Sequence, residues 1–185
     1  MDSMIRVKIE NRKRPLHLAC QTAVLIFALA CACRADRKTM MGDNLGRPPK
    51  DWWQAMRDYH GHVGPWNVLG YRIGRRALQE FGEQWGAHTL DITCHTPLRT
   101  PYTCMADGLV VGTGNTIGRL DIRLAEVADR AAIRVAIRRI ADGKTLVFAP
   151  HDTFLAKIEK VTPDTLDALA HECAALPDEL LFTIQ

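Results

Sequence analysis

Ile133-Arg134-Val135-Ala136-Ile137-Arg138-Arg139-Ile140-Ala141-Asp142-Gly143-Lys144-Thr145-Leu146-Val147-Phe148-Ala149 reads as two strands joined by a tight turn. Ile133, Val135 and Ile137 alternate with other residues, the period of a strand with one buried face. Asp142-Gly143 is a strong hairpin signal, because glycine takes the positive φ such turns need. Thr145 to Ala149 supplies the return strand. At least part of the sheet is therefore antiparallel.

Working outward, two further stretches alternate. Leu90, Ile92 and Cys94 fall on one face of a strand within residues 88–95, with Asp91, Thr93 and His95 on the other. Leu120, Ile122 and Leu124 alternate again. Helical spacing lies upstream: Trp52, Ala55, Met56 and Tyr59 form one face, ending at His60-Gly61-His62. Pro65 suits the first turn of a second helix, whose stripe is Trp66, Leu69, Ile73 and Ala77 and whose stop is Gly82. Gly70 and Gly74 leave a smooth strip on it for another backbone. Pro97 and Pro101 bracket a loop, and residues 106–111 form a short helix with Cys104 at or just before its start. Thr162-Pro163 opens a last helix with the stripe Leu166, Leu169, Ala170 and Cys173. Helices, then strands, then a helix indicate an α+β fold: a mixed or antiparallel sheet packed with helices on one side.

The chain has 185 residues, enough for one domain with a real core. Its 47% apolar and 24% charged residues are those of an ordinary globular protein. The net charge of +3 is unevenly placed. Residues 1–39 hold eight Lys/Arg against three Asp/Glu, so the rest is slightly acidic and offers no footprint for nucleic acid. We divide the chain into a leader, 1–39, and a domain, 40–185.

The leader has two readings. Basic residues Arg6 to Arg14 precede an apolar run from Ala23 to Cys33 with Ala-Cys-Ala at 30–32, the order of a signal peptide. That run is too short for a membrane span. Alternatively, translation starts at Met40 or Met41. The first reading implies export or membrane tethering, the second the cytoplasm, and the second is our working expectation. The three cysteines after the leader, Cys94, Cys104 and Cys173, are an odd number and make no disulfide framework. Free thiols fit a reducing compartment.

Two segments carry chemistry. Tyr59-His60-Gly61-His62-Val63-Gly64-Pro65 places two imidazoles around a glycine. Thr100-Pro101-Tyr102-Thr103-Cys104-Met105-Ala106-Asp107-Gly108 places a thiol three residues before a carboxylate. Imidazole nitrogen and thiolate sulfur are zinc ligands. The competing readings are imidazoles bonded to backbone carbonyls at a helix end, a Cys104 that merely packs, and an Asp107 that caps its helix. A thiol at a helix N-terminus is expected to have a lowered pKa. Cys94 and Cys173 sit in apolar phase and read as core, while His95 is a candidate to face the site. Residues 112–119, Gly-Thr-Gly-Asn-Thr-Ile-Gly-Arg, lack the Gly-Lys-Ser/Thr of a phosphate-binding loop. No Ser-His-Asp order or marked carboxylate pair stands out.

These segments together resemble the FmdE family, named for formylmethanofuran dehydrogenase. Its members carry HGH-x-x-P opening a helix with G-Y-R, then C-x-x-D-A/G, then T-G-C-T-x-G-K. Here the matching residues are His60-Gly61-His62, Gly70-Tyr71-Arg72, Cys104 to Gly108, and Thr113 to Arg119. The resemblance runs from about Asp51 to Leu124, and Pro177 to Phe182 is similar to the family's closing segment. Many relatives have cysteine at the positions of Gly64 and Asn115, and lysine at that of Arg119. Roles needing those thiols are absent here, which argues against a cysteine-rich redox function. No CxxC pair of the kind found in the zinc finger of some relatives is present.

The resemblance implies an α+β core and a divalent metal, zinc by preference, on His60, His62 and Cys104 with one position open. Asp107, Thr113, Asn115 and Arg119 would support those ligands or meet a bound molecule. The expected role is an accessory or ligand-binding protein linked to molybdenum, tungsten or one-carbon redox enzymes, one of which would be a partner. The alternative is a small metal- or thiol-dependent enzyme acting on an electrophile. A homodimer is expected, both from the family and because the glycine strip and Trp52-Trp53 call for burial.

Overall fold

The structure, a computed structural model, describes residues 45–185. The expectations for the leader lie outside those residues. Helix α1, Trp52–His60, starts where Asp51 accepts hydrogen bonds from the backbone N–H groups of Trp53 and Gln54, both at 3.0 Å. It stops at Gly61, whose φ of 93° only glycine adopts freely. Helix α2, Pro65–Phe81, follows after four residues and buries Trp66, Leu69, Ile73 and Ala77 as their spacing implied.

Strand β1 is Leu90–Thr96, helix α3 Cys104–Thr113, and strands β2, β3 and β4 are Ile122–Glu126, Arg134–Arg139 and Thr145–Pro150. Helix α4, Asp152–Lys157, α5, Leu166–Ala175, and α6, Asp178–Leu181, lead to β5, Phe182–Ile184. The sheet order is β2-β1-β3-β4-β5. β1 and β2 run parallel and every other neighbour is antiparallel, so the sheet is mixed and the fold is α+β.

Register explains the core. Ile92 lies opposite Ile122 on one side and Ile137 on the other; Cys94 lies opposite Val135, and Val135 opposite Phe148. All of these are buried, and they share one cluster with α2 and α3. The opposite sheet face is polar: Asp91 pairs there with Arg138 at 2.8 Å and also with Arg123.

Helices α2 and α3 approach through glycine on both sides. A methyl group on Gly70 would overlap the Met105 carbonyl, and one on Gly108 the Asn67 carbonyl. The smooth strip read in the sequence is thus filled by α3 of the same chain. Trp52 stacks on Tyr71 with ring centroids 4.1 Å apart, and Trp53 on His171 at the same distance.

Two expectations need correction. Leu120 is not in a strand: it ends a short 3-10 turn, Ile117–Arg119, at φ 60° and is 82% exposed. Its N–H bonds the Ile117 carbonyl, so the chain is still turning there. Thr162-Pro163 opens a 3-10 turn, and the α-helix proper begins at Leu166. Helices α4 and α6 and strand β5 add to the elements that periodicity indicates.

Candidate functional site

The loop between α1 and α2 and the start of α3 meet at one end of the α2–α3 pair. Asn67, fully buried in the first turn of α2, connects them. Its Oδ1 accepts from the Gly64 N–H at 2.9 Å, and its Nδ2 donates to the Cys104 carbonyl at 3.0 Å. Both ends of the amide are occupied, so Asn67 fixes the loop against α3. Spacing gives no sign of this role; the one available signal is an amide three residues into a helix that has glycine for its cap.

His60 ends α1 and points back to α3. Its Nδ1 lies 2.7 Å from Asp107 Oδ2. An ionised carboxylate only accepts, so Nδ1 carries a proton, and in the neutral imidazole Nε2 keeps its lone pair. That Nε2 is buried and has no hydrogen-bond partner. Buried polar atoms are nearly always satisfied, so an orphan of this kind calls for an explanation. The backbone-carbonyl reading of His60 does not supply one.

His62 is exposed, with its ring centroid 4.6 Å from that of His60. Two imidazoles on one tetrahedral ion have centroids about 5 Å apart, given metal–nitrogen bonds of about 2.0–2.1 Å. Burial, and then the neighbouring His60, lower the His62 pKa. Burial, and then the Asp107 carboxylate, raise the Tyr59 phenol pKa.

Cys104 is the first residue of α3 and half-buried. Its thiol pKa is raised, contrary to the expectation from its helix position. Burial is the larger cause and the Asp107 carboxylate the next; the hydrogen-bonding backbone of the helix start acts in the other direction but does not prevail. Cys94 is pushed up to about 12 and Cys173 to about 11, both by burial, in keeping with core positions. Among the described residues, no three His, Cys, Asp or Glu side chains already converge as a coordination sphere. His60 lies against His62 and Asp107, and His62 and Cys104 line one space.

Thr113, Asn115 and Arg119 lie elsewhere. Thr113 is nine residues along α3 from Cys104, about 13 Å at the helical rise of about 1.5 Å per residue. Its hydroxyl donates to the Leu109 carbonyl at 2.7 Å and accepts from the Asn115 N–H at 3.1 Å. Buried Asn115 donates to the Leu90 carbonyl at 2.7 Å, tying the end of α3 to β1. Arg119 Nε lies 3.7 Å from Asp121, which is bonded to His88. Arg72 holds Asp178 and the Ala174 carbonyl, the internal pairing that its place in the helix allowed. His95 is on the outer sheet face with Arg134 for its charged neighbour.

The family model FmdE, described as the molybdenum formylmethanofuran dehydrogenase operon family, matches residues 59–183. No curated protein matches the chain. The match covers both chemistry-bearing segments and all of the sheet except Ile184, the last residue of β5. The chain belongs to the FmdE family.

Proposed function

We propose that this FmdE-family domain binds a zinc-like divalent ion through His60 Nε2, His62 and the Cys104 thiolate, with one coordination position open. The observation that carries the reading is the buried, partnerless Nε2 of a histidine whose Nδ1 is held by Asp107. Carboxylate-oriented imidazoles are the usual form of metal-ligating histidine, because the carboxylate fixes the tautomer and the ring direction. His62 stands on a glycine-flanked loop at the surface, so it can turn toward the ion at little cost. Cys104 ionises on metal binding, which overcomes the burial that raises its thiol.

Within this site, Asp107 orients His60, and Asn67 keeps the His62–Gly64 loop in register with Cys104. A bound ion would supply Lewis acidity at its open position. The role that fits the family's operon is an accessory or ligand-binding protein for a molybdenum or tungsten enzyme of one-carbon redox chemistry. Genes for such an enzyme beside this one would support that role.

Elemental analysis of untagged protein, expressed with zinc supplied, tests the site. His60→Ala, His62→Ala and Cys104→Ser should each lose most of the metal, since three ligands leave no spare. Cys94→Ser and Cys173→Ser should keep it. Bound metal should also fall below about pH 6, where protons compete for imidazole and thiolate. A full metal complement in Cys104→Ser, or none in the parent chain, overturns the reading.

A further inference from the structure

Gly64 is a glycine that its backbone does not require. Its φ of −115° and ψ of 168° lie in the extended region, open to any residue. Gly61, by contrast, needs its glycine for a φ of 93°. Crowding by main chain does not explain Gly64 either. Gly70 and Gly108 face carbonyls, but a methyl group on Gly64 would meet only side-chain atoms: Leu166 Cδ1 at 3.3 Å, Asn67 Oδ1 at 3.5 Å and His62 Cδ2 at 3.9 Å. The nearest is the tip of a half-buried leucine, which can give way. As the cap of α2, Gly64 also forgoes the side-chain hydrogen bond that serine, aspartate or asparagine would add.

What the missing side chain leaves is space. A cleft of about 30 Å³ is lined by Gly64, His62 and Cys104, with Val161 and Leu166 among its apolar walls. The three atoms nearest a Gly64 methyl group all belong to residues of that wall, so the methyl would enter the cleft. A water needs about 10–15 Å³ of such space, so the cleft takes one solvent molecule or a ligand of about two or three heavy atoms. A water also needs about two to four polar partners. Asn67 borders the cleft, but both ends of its amide are already bonded to the protein. An ion on His62 and Cys104 would supply the missing partner.

We propose that Gly64 is a specificity-determining residue of the metal site. Its missing side chain keeps the open coordination position clear, and the cleft confines that position to a ligand of solvent size: water, hydroxide or a donor of about two or three heavy atoms. The proposal rests on the metal reading, because a cleft between an imidazole and a thiol is by itself no site. It adds the size of the fourth ligand and the residue that sets it.

The test uses the full-length protein loaded with cobalt(II), whose visible spectrum reports its ligands, with metal content measured on each sample. Formate and pivalate carry the same donor group and charge and differ in bulk. Formate should change the parent's spectrum and bind at least tenfold more tightly than pivalate. Gly64→Ala should keep its cobalt and bind formate at least tenfold more weakly than the parent. Metal-free Gly64→Ala should unfold at or above the parent's midpoint, because alanine suits the native φ and restricts the unfolded chain. A parent spectrum that formate leaves unchanged overturns the proposal, as does pivalate binding as tightly as formate, or unweakened formate binding in Gly64→Ala. A clear fall in the midpoint of metal-free Gly64→Ala also overturns it, since the glycine would then serve the fold. All of these outcomes leave the metal reading standing; a parent chain that takes up no cobalt removes both.

Discussion

At His60 the two ring nitrogens have different surroundings. One is held by Asp107, and the other is buried without a partner. Removing the orienting carboxylate should therefore affect the metal more than the fold. Asp107→Ala is expected to lower zinc affinity about 10- to 100-fold, measured by competition with a chromophoric chelator. A stability measurement on the same variant should show little change, because Asp107 is partly exposed. Asn67→Ala should behave differently. It leaves the buried Gly64 N–H without a partner and takes from the part-buried Cys104 carbonyl its bond outside the helix, so a loss of about 1–3 kcal/mol in urea unfolding is expected. Histidine adds a pH dependence. Burial, and then Arg134, lower the His95 pKa, so between its folded and ordinary values the unfolded chain binds more protons. Stability therefore falls as pH drops through about 6.5 and stops falling below the folded pKa. His95→Gln should flatten that slope in unfolding series from pH 7.5 to 5. The sequence made His60, His62, Cys104 and Asp107 legible as a group, because spacing and residue type survive folding. It could not show that Asp107 bonds His60, nor that burial and that same carboxylate outweigh the helix start at Cys104, because both depend on how α1 meets α3.

The two helices that frame the site are held together by what they lack. Gly70 and Gly108 each face a carbonyl of the opposite helix, and a methyl group on either would overlap it. Interiors are packed too tightly to absorb this, so the helices would have to separate and disturb the core beneath them. Gly108→Ala should cost about 3 kcal/mol or more, or prevent folding altogether. Gly118→Ala is the control, since nothing lies within 4 Å of its added methyl, and its thermal midpoint should stay near that of the parent. Long periodic elements are legible in the sequence: α2 with its glycine stop, β1 with its alternation, and the β3–β4 hairpin. Short ones are not. Helix α6 has four residues and strand β5 three, too few for a period to show. Strand β5 exists because β4 has a free side to pair with, which is a tertiary fact. Leu120 misleads because alternation continues by chance into a turn.

At the scale of the molecule, two expectations remain to be tested. The described residues close a single core, and the family match begins at residue 59. A chain starting at Met40 should therefore be soluble and unfold with the same midpoint as the full chain; aggregation of the shorter chain alone would place the leader within the fold. Assembly is the harder question, because folding changed its premises. The glycine strip of α2 is covered by α3, and Trp52 and Trp53 stack on Tyr71 and His171 of their own chain. Neither requires a second copy. What still favours a homodimer is the family likeness, together with the sheet face opposite the core, where Thr93, Ala136 and Val147 are only half-buried. A partner on that face would have to accommodate the Asp91, Arg123 and Arg138 ion pairs, so the contact would be salt-sensitive. The mass from light scattering should then be that of a dimer at micromolar concentrations and low salt, shifting toward the monomer as salt is raised. A monomer at every salt concentration would mean that whatever His60, His62 and Cys104 bind is held within one chain.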